Sequence, residues 1–163
     1  MEPPSSARVS VINQSGEKLP TASIRKAVEL CLASSPDCPG EVTVLLSTDE
    51  EIQELNLRFR NVDEPTDVLS FPAAPMPGTS PKQLGDLAIA VPYAKRQAAL
   101  RGIGHLEELQ FLAIHGALHL LGWNDETESD RHAMLAEMNR VGRLSGLPPE
   151  PEWCSLLHRE TTC

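Results

Sequence analysis

The stretch from His105 to Gly122, "HLEELQFLAIHGALHLLG", constrains the fold more than any other part of the chain. Leu109, Leu112, Ile114, Ala117, Leu118 and Leu121 leave hardly any polar face at helical spacing. A helix that is apolar nearly all round is stable in water only when its neighbours cover it. The rest of the chain must therefore pack around this helix, which becomes the centre of the molecule. Gly122 can take the left-handed conformation that ends a helix and turns the chain back on itself.

The remaining segments alternate between the two backbone periods. "RVSVIN" (Arg8 to Asn13), with Val9 and Val11 on one face, reads as a short strand, and "EVTVLLST" (Glu41 to Thr48) as a second. Between them, Ile24, Ala27, Val28 and Cys31 recur at helical spacing over Thr21 to Ala33, before "SSPDCPG" breaks the pattern. Thr48 followed by Glu51 is a capping-box pattern. It opens a helix whose Ile52, Leu55 and Phe59 are expected to face the core, leaving Arg60 at the edge of that face and able to reach a cleft. "DVLSF" (Asp67 to Phe71) and "LGDLAIAV" (Leu84 to Val91) read as a third and a fourth strand. The Pro72, Pro75, Pro77 and Pro81 between them exclude a regular ladder and predict a mobile surface loop. A helix from Tyr93 to Arg101 opened by Pro92, the central helix, and a last helix from about Glu126 to Arg143 with Met134, Met138 and Val141 inward complete the order βαβαββααα. That order predicts an α+β fold with a small mixed four-stranded sheet packed on about five helices.

With 163 residues and 40% hydrophobic content, the chain is expected to form one domain over 1–163, with loosely packed ends at 1–7 and about 147–163. The start, "MEPPSSARVSVIN", has no basic end followed by an apolar run, and no later segment approaches the roughly 20 apolar residues that span a bilayer. A cytoplasmic protein with no membrane partner is the expectation. Cys31, Cys38, Cys154 and Cys163 form no CxxC pair and read as reduced, structural thiols. The net charge of −9 argues against nonspecific nucleic-acid binding through a coat of positive charge. Arg58 and Arg60, and then Lys95, Arg96 and Arg101, form local basic clusters that either serve a phosphate or are solvated helix faces.

The chemistry is read from the central helix. His115 and His119 project from one side about 6 Å apart along the axis, which lets two imidazoles reach one ion. After the turn at Gly122, Asp125 can present a carboxylate to the same ion. His-x3-His-x5-Asp then supplies three protein ligands and leaves a fourth coordination position open, the layout of a catalytic zinc. The competing reading has the histidines satisfied within the core and Asp125 capping the following helix. His105 is a poor substitute ligand, about 15 Å along the helix from His115. His132 and His158 can approach only through tertiary folding. Gly116 stands where a peptidase of the His-Glu-x-x-His kind carries its general base, and tight packing against a neighbour is its other reading.

Three stretches, "LNLRFR…PTDVLSFP", "LGDLAIAV" and "HGALHLLGWND", in this order and at about these separations, resemble the YbeY family of bacterial ribosomal-RNA maturation endoribonucleases. The resemblance covers roughly Val42 to Met138 and is carried most strongly by Pro65 to Pro72 together with the histidine stretch. It implies a metalloprotease-like (zincin-like) α+β fold and a zinc-dependent, single-strand-specific endoribonuclease acting in small-subunit rRNA processing and ribosome quality control. Its partners would be ribosomal RNA, the small ribosomal subunit and the subunit's assembly factors. The family's zinc histidines match His115 and His119, and its cleft arginine matches Arg60, so that Arg60 and His115 are the expected catalytic residues and His115, His119 and Asp125 the expected metal ligands.

One departure accompanies the resemblance: the family's usual third ligand is a histidine ten residues after the first, and this chain has Asp125 there. Carboxylate oxygen is an ordinary zinc ligand, but it leaves the centre less positive than three imidazoles would. Harder, oxygen-preferring ions such as manganese should then compete better with zinc. Alternative functions are a non-enzymatic ribosome assembly factor with a structural metal and, less in keeping with Gly116, a metal-dependent peptidase. Thr66 and Asp67 are expected to cap the third strand. Asp86 is a weaker candidate for the border of the cleft, and its strand is a possible sheet edge for substrate.

Overall fold

The computed structural model describes residues 8–37, 40–73 and 83–153. The elements are β1 (Val9–Asn13), α1 (Thr21–Ala33), β2 (Glu41–Ser47), α2 (Asp49–Arg60), β3 (Val68–Pro72), β4 (Gln83–Ala90), α3 (Val91–Arg101), α4 (His105–Leu120) and α5 (Glu128–Leu144). The predicted α+β architecture is therefore present, with five helices and one mixed four-stranded sheet. As its composition requires, α4 is buried without a break from Glu108 to Leu118. It packs on α1, α3 and α5 and on the sheet at β3 and β4.

The sheet order is β1-β2-β4-β3, with β1, β2 and β4 parallel and β3 antiparallel to β4. The strand carrying Asp86 is thus internal, and the edge strands are β1 and β3. This corrects the expectation of a substrate edge at Leu84 to Val91. β4 is drawn inside because it pairs with β2 on one side and with β3 on the other, which an alternation pattern in one strand cannot reveal.

Strand alternation divides the core between the two faces. Val68, Leu87 and Ile89 join the main cluster with α4 residues such as Leu112 and Ile114. Leu69, Ala88 and Ala90 point the other way, where Ile52 of α2 covers them together with the partly buried Leu55, Phe71 and Tyr93. The Thr48 hydroxyl accepts from the Glu51 N–H at 3.2 Å, as the capping pattern predicts. The inner face of α2 is nevertheless not the predicted one. Phe59 is 60% exposed, while Asn56 is buried and donates through Nδ2 to the Glu64 carbonyl at 2.8 Å. The last turn of α2 ends at the left-handed Asn61, and the Phe59 ring rests edge-on against Phe71, centroids 5.3 Å apart.

The proline-rich connection after β3, predicted to be a mobile loop, lies outside the described residues at 74–82. The predicted loose ends at 1–7 and 154–163 also lie outside them. From 147 to 153, however, the chain carries two buried side chains, Leu147 and Trp153. That part of the expected loose end is packed, because the indole finds both apolar and polar partners on α4. Cys31 is a free, fully buried thiol. Burial, aided by the Glu137 charge, pushes its pKa up to about 12. Among the described residues, no helix is long and apolar enough to cross a membrane.

Candidate metal centre

The C-terminal half of α4 and the turn after it build the site. Gly122 adopts φ +100°, and a Cβ there would meet nothing within 4 Å. Glycine is required for conformation and not for space. Its N–H reaches the His119 carbonyl at 3.1 Å and the Trp123 N–H reaches that of Leu118 at 3.0 Å, the paired bonds of a Schellman ending. The reversal brings the Trp123 carbonyl to 3.1 Å from His119 Nδ1. A backbone carbonyl only accepts, so Nδ1 carries the proton and Nε2 is left as a donor of electrons.

Nε2 of His119 lies 3.1 Å from Nε2 of His115. Asp125 Oδ2 lies 3.3 Å from the first and 3.6 Å from the second. One ligand atom from each of His115, His119 and Asp125 falls within 4.8 Å of the others, a group that can hold a metal ion. The donor chemistry fits a divalent cation. Two imidazole nitrogens and a carboxylate oxygen pointed at one spot concentrate electron density that a positive charge relieves. The capping alternative for Asp125 does not hold, since the N-cap of α5 is Thr127, whose hydroxyl accepts from the Asp130 N–H at 3.0 Å. For His119, partial burial pulls the pKa down, but the hydrogen bond and charge of Asp125 and the Trp123 carbonyl outweigh it, and the net shift is upward.

Gly116 is explained by space. A Cβ there would lie 2.7 Å from Leu87 Cδ2 and 3.3 Å from Ser70 Oγ, and Leu87 is fully buried. The sheet occupies the place in which a peptidase glutamate would begin.

The remaining candidates separate. Arg60 is exposed at the C-terminal end of α2, the helix whose Ile52 covers the sheet face opposite α4. Among the described residues it forms no ion pair, whereas Arg58 pairs with Glu54 at 3.2 Å, Lys95 with Glu17 at 2.6 Å and Arg96 with Asp49 at 2.6 Å. Of the two basic clusters, four of five members are thus engaged, Arg101 with Glu108 at 3.6 Å being the fourth. Asp67 is buried and accepts from the Val68 N–H at 2.7 Å, the strand cap predicted for it. Asp86 lies opposite Phe71 on the α2 side of the sheet and accepts from Gln83 Nε2 at 3.0 Å, so it does not border the histidines. His105 and His132 are exposed, away from the ligand group. His158 lies outside the described residues.

Two contributors were not visible as such in the sequence. The Trp123 carbonyl is backbone and leaves no residue signature. Trp153 packs its ring 5.2 Å from that of His115. A signal for its partner existed in Glu108, a charged residue standing on the buried stripe of α4 seven positions before His115.

Comparison with known proteins agrees with this geometry. Residues 10–144 match the family model described as Endoribonuclease YbeY. The protein named Endoribonuclease YbeY from Rhodopseudomonas palustris is 39% identical over 133 residues, spanning 78% of this chain and 77% of the relative. Its namesake from Gloeobacter violaceus is 38% identical, spanning 83% and 82%, and that from Picosynechococcus is 39% identical, spanning 83% and 95%. A solution structure of a Thermotoga maritima protein shares the fold, with a TM-score of 0.53 and 23% identity over 90% of this chain and 99% of that one. With the family model matched from residue 10 to residue 144, the chain belongs to the YbeY endoribonuclease family.

Proposed function

We propose that this protein is a metal-dependent endoribonuclease that cuts single-stranded RNA, with ribosomal RNA of the small subunit as substrate and the assembling subunit and its factors as partners in the cytoplasm. The observation that carries the reading is the convergence of His115, His119 and Asp125 in a chain of this family. These three residues would hold zinc, and the carboxylate at Asp125 also suits manganese. When bound, such an ion supplies Lewis-acid polarisation of a phosphoryl oxygen.

The protein's own groups divide the remaining work. The Trp123 carbonyl holds His119 in the tautomer that presents Nε2. His115 is the most buried of the three ligands. Arg60 offers a planar fork matched to the non-bridging oxygens of a phosphate, where charge develops during cleavage. It ends α2, which covers the sheet face opposite α4, so an RNA strand engaged by both helices would turn from one face toward the other. A flexible single strand can make that turn more readily than a duplex, whose smooth bending is costly. Gly116 places no carboxylate beside the ligands, which favours phosphodiester over peptide cleavage.

The test is elemental analysis of the purified protein with RNA cleavage before and after chelation. Near one divalent ion per chain is expected, with cleavage lost on chelation and restored by added zinc or manganese. Asp125→Ala should lose most of the metal. Arg60→Ala should keep metal and melting temperature while cleaving on the order of 10² to 10³ more slowly. Cleavage indifferent to chelation would defeat the metal-dependent reading. Unchanged cleavage by the arginine variant would return Arg60 to the solvated surface.

A further inference from the structure

Glu108, Phe111, His115 and His119 lie at i, i+3, i+7 and i+11 of α4 and so form one stripe along the helix. The histidine half of the stripe belongs to the metal centre. The first half is covered by Trp153, which lies beyond the last residue matched by the family, 144.

The indole is held from several sides. Its N–H donates to Glu108 Oε1 at 2.8 Å, and Glu108 is fully buried. The Arg101 guanidinium lies 5.0 Å over the ring, and Arg101 Nε stands 3.6 Å from the same carboxylate oxygen. Phe111 contributes a ring 6.2 Å away. On its remaining side the indole meets His115, ring centroids 5.2 Å apart at 51°.

A buried carboxylate costs several kcal/mol unless it is paired and hydrogen-bonded. Glu108 therefore favours one register of the segment after α5 against α4, the one in which the indole N–H and Arg101 meet the same buried carboxylate oxygen. In that register the indole face abuts the buried imidazole of His115 and restricts its rotation.

We propose that Trp153, locked by Glu108 and Arg101, is a positioning residue for the metal centre, a back-plate that orients His115 for the ion. This rests on the assignment of His115, His119 and Asp125 as metal ligands. Partners that orient a ligand imidazole typically change metal affinity 10- to 100-fold when removed, because the free protein must otherwise order the ligand as the ion binds.

The experiment measures zinc affinity by competition with a chromophoric chelator, together with the melting temperature of the full chain with and without zinc. Trp153→Leu keeps apolar volume but not the ring. It is expected to bind zinc about 10- to 100-fold more weakly and to show a smaller zinc-induced rise in melting temperature. Trp153→Phe keeps a ring against His115 and should recover most of the affinity even though the indole N–H is lost. A leucine variant that melts lower with and without zinc by the same amount, at wild-type affinity, would overturn the proposal and leave Trp153 as packing alone. A phenylalanine variant as weak as leucine would also overturn it, since the ring would then not be the acting feature. His119→Ala separates this outcome from failure of the underlying assignment: if that variant binds zinc like the wild type, the metal centre itself is misassigned.

Discussion

At the scale of single residues, His119 joins the metal site to a pH dependence whose sign differs between the two forms of the protein. Its pKa is raised above the ordinary 6.5 despite burial, because Asp125 and the Trp123 carbonyl favour the protonated ring. In metal-free protein the stability from this group is fully present below the unfolded value and is lost as pH rises through the raised folded value. An ion needs the neutral ring, so protons displace it as pH falls through the same range. Melting curves of chelated protein should therefore lose His119's contribution as pH rises above the ordinary histidine value and through the raised one. The zinc-induced increment should grow over the same interval. An Asp125→Asn variant, which removes the carboxylate charge, should flatten the first trend. An equal slope in wild type and variant would show that His119 does not carry it.

At the scale of elements, the junction between α4 and α5 decides whether three ligands meet. Helix geometry aligns only the two histidines; Asp125 arrives because the chain reverses at Gly122 and because Thr127, not Asp125, caps α5. Gly122→Ala meets no steric neighbour, so its cost is the left-handed conformation itself, about 1–2 kcal/mol for a residue with a Cβ. Chemical denaturation of chelated protein should show a loss of this size. Zinc affinity should fall as well, because relaxing the turn moves both the Trp123 carbonyl and Asp125. Loss of stability with unchanged affinity would mean that the ligand loop is held elsewhere. The end of α2 carries the opposite lesson. The Ile52, Leu55 and Phe59 pattern ran past the region where the sheet can cover it. Phe59 thus turned outward onto Phe71, while the polar Asn56 was buried to tie down the following loop.

At the scale of the whole molecule, the sheet separates a large core containing α1, α4 and α5 from a small one under α2. Cys31 lies in the large core, fully buried, with its pKa at about 12. Alkylation needs an exposed thiolate, so modification of Cys31, followed by peptide mass spectrometry, should occur at the rate of global opening and rise with denaturant as the unfolded fraction does. Rapid labelling of the native protein would show that this core opens locally. The same two-sided arrangement places α2, which ends in Arg60, and the histidine helix α4 on opposite faces of the sheet.

Much of this protein was determined by local sequence, because periodicity, caps and turn residues act over a few neighbours. The central helix, the α+β class, the strand cap at Asp67 and the convergence of His115, His119 and Asp125 all follow from spacings of ten residues or fewer combined with one glycine turn. Tertiary structure alone decided which strands form the edges, which side of α2 is covered and why Gly116 has no side chain. It also decided that Trp153, distant in sequence, lies against His115. Each of these depends on contacts between segments far apart in the chain, where a close approach such as Leu87 to Gly116 or a single buried hydrogen bond such as Trp153 to Glu108 selects one packing among several that the same local patterns allow.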